Sequence, residues 1–172
     1  SAVKRIPWLI ALLLLGMLTA TVIGSFDGLV RQVAILAAFI SLITGTAGNA
    51  GTQSLALAVR RIAVGSENSG LRDFLSEVIA GLIVGLATGM SVFAIVTFWK
   101  HNMILGFAVG VAMTMAIMVA NLAGYLIPLL IDKLGFDPAV ASGPFITTLS
   151  DLTSVLIYFN VAQLFLVHLA GR

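Results

Sequence analysis

Residues 8–15 read Trp8-Leu9-Ile10-Ala11-Leu12-Leu13-Leu14-Leu15, and they sit inside a stretch, 6–26, that carries no charged side chain. An unbroken apolar run does not alternate between a lipid face and a polar lumen, which excludes the strands of a membrane β-barrel. The stretch is 21 residues long, and about 20 apolar residues as helix cross the hydrocarbon core. Four more charge-free stretches follow, 32–59, 78–99, 101–131 and 152–171, of 28, 22, 31 and 20 residues. Lipid offers no partner to unpaired backbone groups, so such stretches must be helical. The expected fold is all-α and integral to the membrane, with five transmembrane helices at about 7–25, 30–59, 74–99, 103–131 and 139–168.

Composition agrees with this. Of 172 residues, 60% are hydrophobic and 9% are charged, against about 25% charged in a soluble domain. A water-soluble globule is excluded. The formal charge of +2 is too small for a nucleic-acid surface, and with no Cys there is neither a disulfide nor a thiolate metal site. Lys4 and Arg5 before an apolar run imitate a secretory signal, but the run is too long and four spans follow it. The chain begins at Ser, which reads as the membrane part of a longer protein. One side of the membrane would carry Lys4, Arg5, Arg60, Arg61, Arg72 and Lys133, and the other Arg31, Lys100 and Arg172. Six basic residues against three put the N-terminus in the cytoplasm and the C-terminus outside. Residues 63–72 are then a cytoplasmic loop, and Asp137-Pro138 is the start of the fifth helix.

Asp151 stands alone inside the fifth span, about 18 Å from the expected helix start and near mid-bilayer. A carboxylate there costs at least ~2.5–3.5 kcal/mol, and such groups mark functional sites. No Lys or Arg inside any span can neutralise it, which favours a mobile cation. At 100° per residue Pro144, Thr147, Thr148, Asp151, Ser154 and Tyr158 share one broad face, a polar stripe on an oily helix.

The second span holds Thr44-Gly45-Thr46-Ala47-Gly48-Asn49-Ala50-Gly51-Thr52-Gln53-Ser54, with Gly45, Gly48, Asn49, Thr52 and Ala56 on a narrow face. Small residues let a neighbouring backbone approach closely, and carbonyl, amide and hydroxyl oxygens are what a hard cation or its waters prefer. Gly81, Gly85 and Gly89, and Gly106 with Gly110, read as helix-packing ridges. Glu77 reads as a helix-start or interface residue, and Asn121, Tyr125 and Pro128 as polar groups and a kink in the fourth span. His101 and His168 fall at outer helix ends and form no metal pair.

The run from Gly45 to Ser54, then Arg60-Arg61, then Asp137-Pro138-Ala139-Val140-Ala141-Ser142-Gly143-Pro144-Phe145 and Thr148-Leu149-Ser150-Asp151, resembles the MgtE magnesium channels. Pro7-Trp8-Leu9 and Leu156-Ile157-Tyr158-Phe159 extend the match over essentially the whole chain. The resemblance implies a homodimer of five-helix protomers in a bacterial or archaeal plasma membrane, with the pore on the two-fold axis between the second and fifth helices. It implies Mg²⁺ as the transported ion, Asp151 as the pore carboxylate, and Thr147, Gly143, Gly45, Gly48, Asn49 and Thr52 as the residues lining the same site. It also implies a cytoplasmic N-domain and CBS domains that are absent from this chain and that gate the pore. Some family members have Asn where this chain has Thr52 and Gly143.

The expected function is passive conduction of Mg²⁺ into the cytoplasm. Its alternative is a proton- or sodium-coupled divalent cation transporter using Asp151. A membrane scaffold leaves the polar faces of the second and fifth helices unexplained, and one Asp cannot assemble a hydrolase constellation within one chain.

Overall fold

The structure, a computed structural model, describes residues 2–65 and 70–165. Among these residues five helical segments are long and apolar enough to cross a bilayer, at Arg5–Ser25, Ala34–Val64, Gly70–Lys100, Met103–Lys133 and Gly143–Leu164. The helices are α1 (Ala2–Ser25), the short α2 (Asp27–Gln32), α3 (Ile40–Val64), α4 (Gly70–Lys100), α5 (Met103–Lys133) and α6 (Gly143–Leu164).

The second span does not run as one helix over 30–59. Val33, at φ −131° and ψ 73°, breaks α2 from a 3-10 segment, Ala34–Phe39, that leads into α3. The break is held by tertiary packing. Leu29, Val33, Leu36 and Phe39 are buried, and the Tyr158 hydroxyl donates to the carbonyl of Leu36 at 2.7 Å. At its other end α3 passes through Arg60 and Arg61 to Val64, where Gly65 in the left-handed region (φ 67°) caps it. Cations suit a helix C-terminus, so the paired arginines extend the helix there. The expected loop 63–72 shrinks accordingly, and its residues 66–69 lie outside the described residues.

The fifth span also starts later than expected. Gly135 (φ 79°) and Phe136 close α5 in a Schellman motif, their N–H groups donating to Asp132 and Ile131 carbonyls at 2.9 and 3.1 Å. Pro138 then opens only a 3-10 turn, Pro138–Val140, and α6 begins at Gly143 with Pro144 in its first turn. Both prolines suit a helix start, but only the second is followed by an uninterrupted helix. The last residues of the expected fifth helix, with His168 and Arg172, lie outside the described residues.

Helix α5 is the centre of the bundle and packs against α4, α3 and α6, while α1 lies on α6. In lipid the helices gain nothing from leaving water, so close contact and dispersion hold them together. Toward α4, Gly110 meets Gly89, and Gly85 and Gly89 receive Thr114, whose hydroxyl donates to the Gly85 carbonyl at 3.0 Å. The glycine ridges therefore pack within the chain. A second ridge on α5, Ala108, Ala112, Ala116, Ala120 and Gly124 at four-residue spacing, is fully buried. Its last two members meet Gly51 of α3, and a Cβ on Gly124 would overlap the Gly51 carbonyl oxygen.

Candidate functional site

Helices α3 and α6 run antiparallel in a fixed register. A Cβ on Gly48 would meet Thr147 Cγ2 at 3.3 Å, and one turn on, a Cβ on Gly143 would meet Thr52 Cγ2 at 4.0 Å. Gly51 sits between these contacts against Ile146 and Ser150. The same register carried one turn the other way brings residues 44 and 45 level with Asp151. Of the seven residues singled out from the sequence, Gly48, Thr52, Gly143 and Thr147 thus meet along one seam, while no contact across the two helices joins Gly45, Asn49 and Asp151 to it among the described residues.

The seam is open on one side. Gly45 and Asn49 are exposed, Thr52, Gly143, Thr147 and Asp151 are half-buried, and only Gly48 is buried. A Cβ on Gly45 would have nothing within 4 Å. Asp151 stands eight residues inside α6, about 12 Å from the helix start rather than 18 Å. Because α6 itself starts level with Thr52, near the middle of the Ala34–Val64 span, the register places Asp151 about a third of the way along that span from Ala34.

The expected polar stripe on α6 divides. Ser154 and Tyr158 turn into the protomer, fully buried, and Tyr158 serves the Leu36 carbonyl. Pro144, Thr147, Thr148 and Asp151 stay at least partly open. The division follows from tilt: a stripe four turns long on a straight helix cannot face one groove throughout when the helix crosses its neighbours. Thr52 donates to the Asn49 carbonyl at 2.9 Å and Thr148 to the Pro144 carbonyl at 2.8 Å. With their protons used on their own helices, these hydroxyls present lone pairs outward. Oxygen acceptors of this kind suit a hard cation or the waters around it. Among the described residues no Lys or Arg pairs with Asp151.

A second polar constellation was not legible as a unit. Glu77 is not a helix-start residue; α4 begins at Gly70, which puts Glu77 two turns inside and buried. It accepts from Ser54 Oγ at 3.2 Å and Asn121 Nδ2 at 3.3 Å, and pairs with Arg61 Nη2 at 3.8 Å. Arg61 also stands 3.7 Å from Asp73 and over the Tyr125 ring, 5.6 Å from its centroid. The signal was present in the spacing of Asp73 and Glu77 on one face and of Ser54 and Arg61 on another. Beside the cluster an open cavity of about 930 Å³ is lined by Arg61, Asp73, Phe74, Tyr125, Leu129 and Lys133. It is well apart from Asp151, since Arg61 lies 16 residues beyond Gly45 on α3, about 24 Å along the helix.

A family model described as MgtE, divalent cation transporter, matches residues 40–161. A magnesium transporter MgtE of Enterococcus faecalis is 64% identical over 96% of this chain, and one of Bacillus subtilis is 36% identical over 96%. A third, of Thermus thermophilus, is 38% identical over 94% of the chain. The chain spans 37% of the length of the first two relatives and 36% of the third.

Proposed function

This chain belongs to the MgtE family of divalent cation transporters and is a multi-pass bacterial membrane protein, and from that premise we propose that it forms the pore of a magnesium channel. The pore conducts Mg²⁺ passively across the plasma membrane into the cytoplasm, with the N-terminus cytoplasmic and the C-terminus outside. It lies on the two-fold axis of a homodimer, between α3 and α6 of both copies, where two Asp151 carboxylates face the ion. The relatives named as magnesium transporters supply the choice of ion. Their greater length leaves room for a cytoplasmic N-domain and CBS domains that gate the pore.

The observation that carries the reading is Asp151 itself, a half-buried carboxylate inside a membrane span with no cationic partner among the described residues, on an open seam of oxygen acceptors. Mg²⁺ demands octahedral oxygen geometry and sheds water reluctantly. Among the described residues no three His, Asp or Glu side chains gather to replace that water. Recognition therefore proceeds through the hydrated ion. The carboxylates attract its charge, Thr147, Asn49 and Thr52 accept hydrogen bonds from its waters, and Gly45, Gly48 and Gly143 keep the wall free of side chains. Selectivity then depends on the width of the groove as well as on charge.

Currents through the protein in a planar bilayer test this. The expected reversal potential follows the Mg²⁺ gradient alone, and Asp151→Asn lowers the Mg²⁺ current at least about tenfold, equivalent to about 1.4 kcal/mol. Undiminished current in Asp151→Asn refutes the site. A reversal potential that tracks pH or Na⁺ assigns Asp151 to a coupled carrier instead.

A further inference from the structure

Glu77 is 5% exposed, and its carboxylate is where three helices meet. From α3, Ser54 Oγ donates to Oε2 at 3.2 Å and Arg61 Nη2 stands 3.8 Å from Oε1. From α5, Asn121 Nδ2 donates to Oε2 at 3.3 Å and to the Glu77 carbonyl at 3.2 Å. Ser54 and Arg61 are seven residues apart, about 10.5 Å along α3. A carboxylate that grips one helix at two points two turns apart resists both its sliding and its rotation. Asn121 ties the same carboxylate to α5 one turn from Gly124, where α5 touches Gly51.

Burying the Glu77 charge is an inefficient way to add stability, because an apolar junction of the same volume often does as well or better. Fixing register is the best-attested use of such groups. Ser54 is two residues from Thr52 and six from Gly48, so the grip acts on the segment that faces α6. We infer that Glu77 is a positioning residue for the ion pathway: through Ser54 and Arg61 it sets the register of α3 against α6, and so the spacing of Gly48 and Thr52 from Thr147 and Gly143. The inference rests on the reading of that seam as the ion pathway, and Glu77 itself does not touch the ion. Arg61 keeps Asp73 and the Tyr125 ring when Glu77 is neutral, so Glu77→Gln shifts α3 without freeing it.

The register can be read directly. The chain has no Cys, and a Cβ on Gly48 lies 4.0 Å from Thr147 Cβ, within the range a disulfide spans. In the protein reconstituted into liposomes, the rate of disulfide formation is measured for the pair Gly48→Cys and Thr147→Cys, with and without Glu77→Gln. Mg²⁺ uptake and the preference for Mg²⁺ over Ca²⁺ are measured for Glu77→Gln without the cysteines. Glu77→Gln is expected to slow the disulfide and to weaken the preference, each at least about threefold, in a protein that stays monodisperse. Where Glu77→Gln does not fold, Arg61→Gln combined with Glu77→Gln removes both partners of the ion pair and undergoes the same measurements. An unchanged disulfide rate, or an unchanged preference beside a slowed disulfide, overturns the inference. Asp151→Asn run in parallel judges the pathway separately: undiminished uptake refutes that reading, while the disulfide rate still decides whether Glu77 holds α3.

Discussion

Replacing Gly124 by Ala tests the packing on which the seam depends. A Cβ there would overlap the Gly51 carbonyl oxygen and lie 3.0 and 3.2 Å from the carbonyl carbon and Cα of Gly51. The obstacle is backbone, which cannot rotate aside as the tip of a side chain can. Gly51 has no room to retreat, since a Cβ on it would already meet Ile146 Cγ2 and Ser150 Oγ at 3.0 Å. The two helices must therefore part along the seam that includes Ala120, and the contacts around it are lost together. Overpacking costs 1–3 kcal/mol, and a backbone obstacle puts this site at the upper end, about 3 kcal/mol. In a domain of this size that is roughly 6–12 °C in Tm. Gly45→Ala is the control: a Cβ there has nothing within 4 Å, and Ala favours helix by up to about 1 kcal/mol. Both variants are heated in detergent, and the monodisperse fraction is followed by size-exclusion chromatography. A Gly124→Ala protein that melts within about 2 °C of Gly45→Ala refutes the argument that this crossing limits the approach of the helices.

Two further outcomes follow from single contacts. Tyr158→Phe removes the donor to the Leu36 carbonyl and is expected to cost about 1–2 kcal/mol in the same melt; an unchanged Tm shows that the 3-10 segment holds without it. His101 joins α4 to α5 at φ 50°, exposed and in the left-handed region. His101→Gly is expected to gain about 0.5–1 kcal/mol from the relieved conformation, and a lowered Tm refutes the strain.

The spans were legible because the bilayer imposes one coarse demand, a long apolar helix, and charge-free runs meet it visibly. Their ends depend on finer chemistry. Arg60 and Arg61 look like a boundary, yet a helix C-terminus welcomes them and α3 continues to Val64. Pro138 and Pro144 carry the same local signal, and the turn formed by Gly135 and Phe136 leaves only the second to start a long helix. The break at Val33 could not be read locally at all, because the Leu36 carbonyl is held by Tyr158, 122 residues away. At the candidate site, the small residues of α3 and the polar stripe of α6 were each visible. Their antiparallel register, which puts Gly48 against Thr147 and turns Ser154 inward, is a property of the packed pair.

A charge inside a membrane helix is therefore not read by its presence alone. Asp151 and Glu77 are both carboxylates in otherwise apolar helices, and their surroundings separate them. Glu77 is met by Arg61, Ser54 and Asn121, so its charge is compensated within the protomer and it acts as a joint between α3, α4 and α5. Asp151 has no cation from the chain among the described residues and has the Thr148 hydroxyl, its proton used on the Pro144 carbonyl, one turn away on the same helix, which can only add to the demand for positive charge. A joint is worth its desolvation only where register matters, and α3 is the helix whose register sets the spacing of Gly48 and Thr52 from Thr147 and Gly143. On the proposed reading of the seam as the ion pathway, the compensated carboxylate and the uncompensated one are two parts of one requirement, a groove whose width is held constant while an ion passes through it.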